Sequence, residues 1–141
     1  MKRIHSEAYG LLVVEDSQIY LFESGILGIP DIRQYALLPM DGTPFFVLHA
    51  FGEEVSFILL PSHLALEDYN FRISDETISL LELKSPDDVG VMLIVNINQD
   101  KLYVNLMAPI LLSPHSLKGF QYIIKDQEFP VRYPLEQKGE A

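Results

Sequence analysis

The sequence of 141 residues contains no cysteine. Disulfide bonds, thiolate zinc sites and cysteine nucleophiles are therefore all excluded, and such a chain suits a reducing compartment. Long hydrophobic runs are missing too, because the longest nearly apolar stretch covers only residues 89–95, whereas a membrane-spanning helix needs about 20 apolar residues. Residues 1–7 include two bases, but no apolar segment follows them directly. We therefore expect a soluble, cytoplasmic protein with no membrane partner.

Basic residues are also scarce. Ten lysines and arginines stand against twenty aspartates and glutamates, so the formal net charge is -10. A protein that grips nucleic acid by its phosphates needs a basic face, which releases counterions through Lys and Arg contacts. The composition therefore argues against direct binding of RNA or DNA.

The charge is distributed unevenly along the chain. Residues 4–71 contain one base, Arg33, against ten acids, whereas residues 72–141 contain seven bases and ten acids. The N-terminal half should project a negative field that steers a basic partner towards it. Alternatively, these acids only keep a monomer soluble. The ten acids are Glu7, Glu15, Asp16, Glu23, Asp31, Asp41, Glu53, Glu54, Glu67 and Asp68.

The hydrophobic fraction of 48% is enough for a substantial core, and the length fits one domain, residues 1–141. Short β-branched, aromatic and aliphatic runs alternate with Gly, Pro, Asp and Ser, which is typical of antiparallel strands joined by tight turns. We predict a mainly β fold, a single antiparallel barrel or sandwich with one or two short helices. The predicted strands cover residues 11–14, 18–22, 35–40, 44–50, 55–60, 89–98, 102–107 and 119–125.

One helix is well signalled. Ser74 can cap its N-terminus, two acids follow in the first turn, and Ile78, Leu81 and Leu83 form an apolar stripe that ends before Pro86. Residues 63–68 are a candidate for a further helical turn. The domain core is expected to span residues 9–133, and the polar residues 134–141 are expected to fray.

No constellation for catalysis is evident. The four histidines, His5, His49, His63 and His115, have no ligand-type spacing, so we predict no metal site, and the surroundings of His49 favour a partly buried structural role. The sequence contains no G-x-S-x-G nucleophile elbow. We expect no catalytic residue and no cofactor.

Paired carboxylates leave one enzymatic alternative open. Two acids are the minimum for glycoside hydrolysis, so a carbohydrate-binding or hydrolysing β-domain is the alternative hypothesis. Neighbouring acids on a strand point to opposite faces, however, and all four pairs fall in predicted turns or at loop edges, where solvated carboxylates are ordinary. The pairs are Glu15-Asp16, Glu53-Glu54, Glu67-Asp68 and Asp87-Asp88.

The segment 25–30 places large aliphatic residues between glycines. It lacks the lysine of a phosphate-binding loop, so we interpret it as a packed loop or a contact surface. Its apolar side chains are those of Ile26, Leu27 and Ile29.

This loop carries a resemblance to a known family. Residues 22–30 resemble the F-x-x-G-[IL]-x-G-[FI]-P pattern of the flagellar assembly factor FliW family, and residues 44–48 follow at the family's spacing. Residues 57–61 with Asp68 and Tyr69 resemble its next strand and loop, and residues 105–110 are similar to its N-L-x-A-P-[IL] segment. The resemblance extends from about Tyr9 to Tyr133.

The resemblance implies a non-enzymatic, chaperone-like regulator of flagellum biogenesis with a β-barrel-like fold. Proteins of this family bind the RNA-binding translational repressor CsrA and keep it off flagellin mRNA, and they also bind newly made flagellin through its terminal helical region. Competition between the two partners couples flagellin synthesis to export. An acidic surface is compatible with a basic, RNA-binding repressor.

Two sets of residues are the predicted protein-binding sites. The acidic turn residues Glu15, Asp16, Asp41, Glu53 and Glu54 are expected to face the repressor. The apolar loop residues Ile26, Leu27 and Ile29 are expected to contact a helical face of flagellin. The free protein is expected to be a monomer, although a structural oligomerisation module is a third hypothesis.

Overall fold

The computed structural model describes residues 1–135, and this part of the chain contains eleven β-strands and two short α-helices. The strands are β1 Lys2–Ser6, β2 Gly10–Val14, β3 Ile19–Leu21, β4 Gln34–Pro39, β5 Phe46–Ala50, β6 Ser56–Pro61, β7 Gly90–Asn98, β8 Lys101–Val104, β9 Ile110–Ser113, β10 Lys118–Gln121 and β11 Tyr133–Pro134. The helices are α1 Ser62–Ala65 and α2 Asp75–Leu80, and short 3₁₀ turns occupy Asp16–Gln18 and Pro86–Asp88.

Seven strands close into a barrel in the order β3, β4, β5, β6, β7, β9 and β10. The closing contact is the antiparallel pairing of β7 with β9, in which Gly90 lies opposite Leu112 and Met92 opposite Ile110. Strands β8 and β11 extend the sheet beyond β7. The predicted mainly β, barrel-like fold is confirmed. The strand pairs of the barrel are antiparallel except for β3 and β10, which run parallel.

The barrel interior holds the main hydrophobic core. Phe22 and Tyr35 are fully buried there with their rings edge to face, at a centroid distance of 5.2 Å. Gly119 on β10 lies directly against this pair, since a Cβ atom at that position would be 2.4 Å from the Phe22 ring. A glycine in mid-strand therefore makes room for a large aromatic core residue.

The β1–β2 hairpin forms a separate two-stranded sheet that packs on the outside of the barrel. Ile4 and Val14 pack there against Ala36 of β4. Because successive strand residues point to opposite faces, Ala36 reaches the hairpin while its neighbour Tyr35 points into the barrel. A third apolar cluster includes Leu60, Leu93, Val95, Val104 and Leu106, and Ala65 of α1 packs against it.

Most predicted strands match observed ones within a few residues. The predicted strand at 119–125 is shorter, although the N–H groups of Tyr122 and Ile124 still donate to carbonyls of the segment before β9. Strands β1, β9 and β11 were not predicted. Residues 134 and 135 belong to the fold rather than to a frayed tail, because Pro134 pairs with Tyr103 and the Leu135 N–H donates to the Leu102 carbonyl. The rest of the expected tail, 136–141, lies outside the described residues.

Helix α2 begins as predicted, because the Ser74 hydroxyl accepts the Thr77 N–H at 3.3 Å. The helix ends earlier than expected, at Leu80, and Glu82 adopts a positive φ of 56°. Leu81 is completely buried, whereas Ile78 is 37% exposed. The expected apolar stripe is therefore only partly covered by the fold.

The buried Tyr35 and the half-buried Tyr69 differ in how their hydroxyl groups are satisfied. The Tyr35 hydroxyl is buried without a hydrogen-bond partner among the described residues, whereas the Tyr69 hydroxyl donates to the Leu106 carbonyl. Burial raises the pKa of Tyr35 to about 12 and also raises the pKa of Tyr69. Both side chains are therefore neutral phenols at physiological pH.

We predict opposite effects for the two Tyr→Phe substitutions. Tyr35→Phe removes an unpaired buried hydroxyl, so the free energy of unfolding should rise by about 1 kcal/mol. Tyr69→Phe leaves the Leu106 carbonyl without its donor and should lower it by about 1 kcal/mol. Urea unfolding of both variants, with unchanged slope as the control, measures the difference. Equal losses in both variants would contradict the assignment of Tyr35 as unsatisfied.

Candidate protein-binding surfaces

The predicted acidic residues lie at two opposite ends of the barrel. Strands β4 and β5 pair antiparallel, so the turn after β4, which carries Asp41, and the turn after β5, which carries Glu53 and Glu54, lie at opposite ends of β5. Five strand residues separate the turns, which places them at least about 13 Å apart. The structure therefore divides these acids into two separate groups. We call the Asp41 side the turn end and the Glu53 side the loop end.

Glu15 and Asp16 lie at the turn end. In the antiparallel pair of β3 and β4, Ile19 is opposite Ala36, so residues that precede Ile19 extend along β4 towards Asp41. All three of these acidic side chains are exposed, and none forms an ion pair within residues 1–135. The turn end therefore carries three solvated carboxylates.

The loop end combines the β5–β6 turn with residues 22–33, which connect β3 to β4. The Phe22 N–H donates to the Arg33 carbonyl at 2.7 Å, and the Phe51 N–H donates to the Gln34 carbonyl at 3.2 Å. These two bonds hold the loop beside the turn that carries Glu53. Acidic and apolar candidate residues therefore share this end of the barrel.

Only part of the apolar loop is available to a partner. Leu27 is 79% exposed and Ile29 is half-buried, but Ile26 is 2% exposed and packs in the main core. The prediction that Ile26 offers its side chain to flagellin is therefore corrected, because this residue anchors the loop from inside. Leu27 is the large apolar side chain that the loop presents.

Local backbone contacts fix the loop shape. Gly25 has a positive φ of 66°, and a Cβ atom there would be 2.5 Å from the Pro30 Cα atom. The Ile29 N–H donates to the Ile26 carbonyl at 2.8 Å, and the Leu27 N–H donates to the Gln121 side chain at 2.8 Å. The glycine and these two bonds turn Ile26 inwards and Leu27 outwards.

Glu54 has a structural role that was not predicted from the sequence. Its carboxylate accepts the Glu7 N–H at 2.9 Å and the Ser6 hydroxyl at 3.1 Å. These hydrogen bonds, the first of them most strongly, hold the pKa of Glu54 below its usual value. Glu54 thus fastens the turn of the β1–β2 hairpin to the loop end of the barrel, although it is exposed, as its neighbour Glu53 is.

Ser6, His49 and Glu54 meet in an arrangement that superficially resembles a hydrolase triad. His49 is 1% exposed, and its Nδ1 lies 2.8 Å from the Ala50 carbonyl, which can only accept. Both Ser6 Oγ, at 3.0 Å, and Glu54 Oε2, at 3.5 Å, therefore face the same nitrogen, Nε2. A triad needs the acid on Nδ1 and the serine on Nε2. The contacts instead give His49 a structural role, as the sequence predicted, but in a fully buried rather than a partly buried position.

The two remaining acidic pairs, Glu67-Asp68 and Asp87-Asp88, do not come together in one site. Asp88 accepts the N–H groups of Lys84 and Ser85, at 2.8 and 3.0 Å, and these bonds lower its pKa. Glu67 and Asp68 are exposed and line a cavity of about 320 Å³ beside Tyr133. Within residues 1–135, no group of three or more His, Asp and Glu side chains is arranged to hold a metal ion, and no helix is long and apolar enough to cross a membrane.

Two concave surfaces beside α2 have no counterpart in the sequence predictions. A cavity of about 720 Å³ lies between the first turn of α2 and the end of β10, where Phe120 and Tyr122 line it. A second cavity, of about 430 Å³, lies on the Ile78 side of the helix. Their walls come from segments that are far apart along the chain, so periodicity within one segment could not predict them.

Fold and contacts together define a small seven-stranded β-barrel that carries an external hairpin and whose buried polar groups hold its own elements together. Residues 3–135 match the family model described as FliW protein. The chain therefore belongs to the FliW family of flagellar assembly factors.

Individual relatives agree with this family. The chain is 33% identical over 135 residues to the flagellar assembly factor FliW of Caldicellulosiruptor bescii, covering 94% of this chain and 89% of that protein. It is 29% identical to the FliW of Bacillus subtilis, covering 94% and 95%. A crystal structure of the flagellar assembly factor FliW superimposes with a TM-score of 0.89 at 25% identity, over 97% of this chain and 99% of that one.

We predict that Glu54 makes the stability of the protein depend on acid pH. Because its pKa is lower in the folded chain, its contribution is present above its usual value of about 4.5 and is lost as the pH falls further, through the folded value. Glu54→Gln should lower the melting temperature near neutral pH, and the difference from wild type should shrink below about pH 4.5.

The matched control is Glu53→Gln, which removes a neighbouring exposed charge. It should leave the melting temperature close to that of wild type across the same pH range. Equal effects of both substitutions would mean that net charge, not the fastening of the hairpin, determines the result.

Proposed function

We propose that this flagellar assembly factor is a cytoplasmic, non-enzymatic partner switch. In this proposal the protein binds a CsrA-type RNA-binding repressor and thereby frees flagellin mRNA from it. The protein also binds flagellin, and flagellin displaces the repressor. The observation that carries the proposal is membership of the FliW family in a chain whose residues 4–71 hold ten acids and one base. A basic, RNA-binding repressor is attracted by such a surface, whereas RNA is repelled.

The acidic surface acts at two ranges in this proposal. All exposed acids contribute to the field that steers a basic protein towards the barrel, whichever end they occupy. The proposal places direct contact at one end, since the turn end and the loop end carry separate groups of acids at least about 13 Å apart. Candidate contacts are Glu15, Asp16 and Asp41 at the turn end, and Glu53 at the loop end. Glu54 contributes mainly by holding the hairpin in place.

The apolar contact for flagellin includes the loop at 25–30. Leu27 is 79% exposed on a loop whose shape is fixed by Gly25 and by the bond to Gln121. A rigid loop that presents an apolar side chain loses little conformational entropy on binding. The half-buried Ile29 belongs to the same surface, and the buried Ile26 anchors the loop by packing in the main core.

Capture from cell extract tests the proposal. We expect the tagged protein to retain both the repressor and unassembled flagellin, identified by mass spectrometry, and we expect added flagellin to release the repressor. The control is a tagged protein of similar size and net charge from another family. Retention of neither partner, or of both together without displacement, would contradict the partner switch.

We predict that charge reversal separates steering from contact. Asp41→Lys and Glu53→Lys should each slow association with the repressor roughly threefold at low salt, with a smaller effect at high salt. Only the variant at the contacting end should also speed dissociation, because steering charges act mainly on the association rate. Stopped-flow or surface-based kinetics at two salt concentrations provides the measurement. Unchanged association of both variants would exclude the acidic residues from recognition.

A further inference from the structure

The β1–β2 hairpin covers His49. This residue lies opposite Ala36 in the pairing of β4 with β5, so the two side chains share the outer face of the barrel. Ala36 packs under the hairpin, and His49 is 1% exposed. The Tyr9 ring of the hairpin turn stands edge to face with the imidazole, at a centroid distance of 6.2 Å. Detachment of the hairpin from the barrel would therefore bring His49 into water.

The hydrogen bonds around His49 lack one hydrogen if the ring is neutral. Its Nδ1 must carry a hydrogen, because the Ala50 carbonyl at 2.8 Å can only accept. Nε2 of the neutral ring is then an acceptor, and it lies 3.0 Å from Ser6 Oγ, which lies 3.1 Å from Glu54 Oε2. The serine hydroxyl has one hydrogen, so it can donate to the ring or to the carboxylate, but not to both. One close contact would then join two acceptors with no hydrogen between them.

An imidazolium removes this conflict. With a hydrogen on each ring nitrogen, His49 Nε2 donates to Ser6 Oγ, and the serine hydroxyl donates to Glu54 Oε2. Ser6 Oγ also accepts the Tyr9 N–H at 3.1 Å. The serine oxygen then donates one hydrogen bond and accepts two, which is its full capacity. Every polar atom of the cluster is satisfied in this arrangement.

We propose that Ser6, His49 and Glu54 form a proton-operated latch, in which a proton held on His49 fastens the hairpin to the loop end and its release at higher pH lets the hairpin detach. We call these three residues the hairpin latch. The latch joins elements of this chain to each other, so it does not depend on which partners the protein binds.

Glu54 provides the negative charge that a buried imidazolium requires. Its Oε2 lies 3.5 Å from His49 Nε2, and no lysine or arginine of residues 1–135 forms an ion pair with this carboxylate. Hydrogen bonds, first that from the Glu7 N–H and then that from the Ser6 hydroxyl, hold the pKa of Glu54 below its usual value. The carboxylate therefore stays ionised at neutral pH, and the extra proton belongs to the histidine.

The other elements around His49 bring no competing charge against the ring. Its neighbours on β4 and β6 are Ala36 and Ser56, which do not titrate. The hairpin contributes the Tyr9 ring, and the exposed Glu7 reaches the latch through its backbone N–H. Among the described residues, the charge that the ring meets directly is therefore that of Glu54.

The direction of the pH dependence follows from the number of bound protons. The closed hairpin holds the proton on His49, whereas a histidine in water loses it near about pH 6.5. Above this pH, detachment releases one proton, so the equilibrium constant for detachment should rise by up to about tenfold per pH unit. Below it, both states hold the proton, and detachment should vary little until the pH is low enough to protonate Glu54.

Nitrogen NMR of the imidazole in the wild-type chain tests the proton count. At about pH 7.5 we expect a hydrogen on both ring nitrogens of His49, with the signals assigned by their absence from His49→Gln. A hydrogen on Nδ1 alone would overturn the latch. A protonated Glu54 carboxyl group in the carbon spectrum would overturn it as well, because the proton would then sit on the acid.

Hydrogen exchange of the β1 and β2 amides measures detachment, since an isolated two-stranded hairpin is hardly stable in water. After correction for the intrinsic effect of pH on exchange, the wild-type detachment constant should rise at least about fivefold between pH 6.5 and pH 8. His49→Gln keeps a side-chain N–H donor that does not titrate, so this rise should disappear. His5→Gln is the matched control, because His5 is exposed on the same hairpin, and it should keep the wild-type rise.

Each outcome decides the proposal. Exchange that does not vary with pH in wild type, or a rise that persists in folded His49→Gln, would overturn the latch. Loss of the rise in His5→Gln would also overturn it, because the titrating group would then lie on the outer face of the hairpin. The NMR measurement uses the wild-type chain, so it remains decisive if His49→Gln does not fold.

Discussion

The fold depends on one long strand that pairs with three others. The first residues of β7 pair with β9, its middle with β6, and its last residues with β8. The pairing with β9 closes the barrel, and without it both strands would be open edges that invite association with other chains. The opposite seam is weaker, since β3 and β10 share a single pair, Leu21 with Lys118. Closure therefore relies on β7 and on the aromatic residues that fill the interior.

Barrel closure turns a charge pattern along the sequence into two separate surfaces. Acids that follow β4 and β5 are close in sequence, yet the antiparallel register sends them to opposite ends of the barrel. The long-range field is little affected, because steering depends on the sum of the charges. Contact is affected strongly, because a partner that touches Asp41 meets a different set of neighbours from one that touches Glu53. The number of acids predicts attraction to a basic partner, but the topology of the strands determines where on the barrel those acids lie.

The strands that were predicted correctly are those with apolar runs bounded by turn residues. The Ser74 cap could also be predicted, because a helix cap depends only on residues that are close in sequence. The unpredicted strands lack such signals: β1 is largely polar because one face of the hairpin meets water, and β9 is buried throughout, so it shows no alternation. Ile26 was misplaced because periodicity does not reveal which way a short loop turns. The cavities beside α2 depend on distant segments and had no local signal.

Glu54 illustrates why surface chemistry is the hardest part to predict. Its partners, Ser6 and Glu7, lie 48 and 47 residues away, so its turn position alone indicated an ordinary solvated acid. Glu23 and Glu82 are likewise engaged, both with Lys118. Each such contact removes a carboxylate from those that can meet a partner. The acids without an internal partner are the ones free to form close ion pairs with another protein, and tertiary packing, not composition, decides which acids those are.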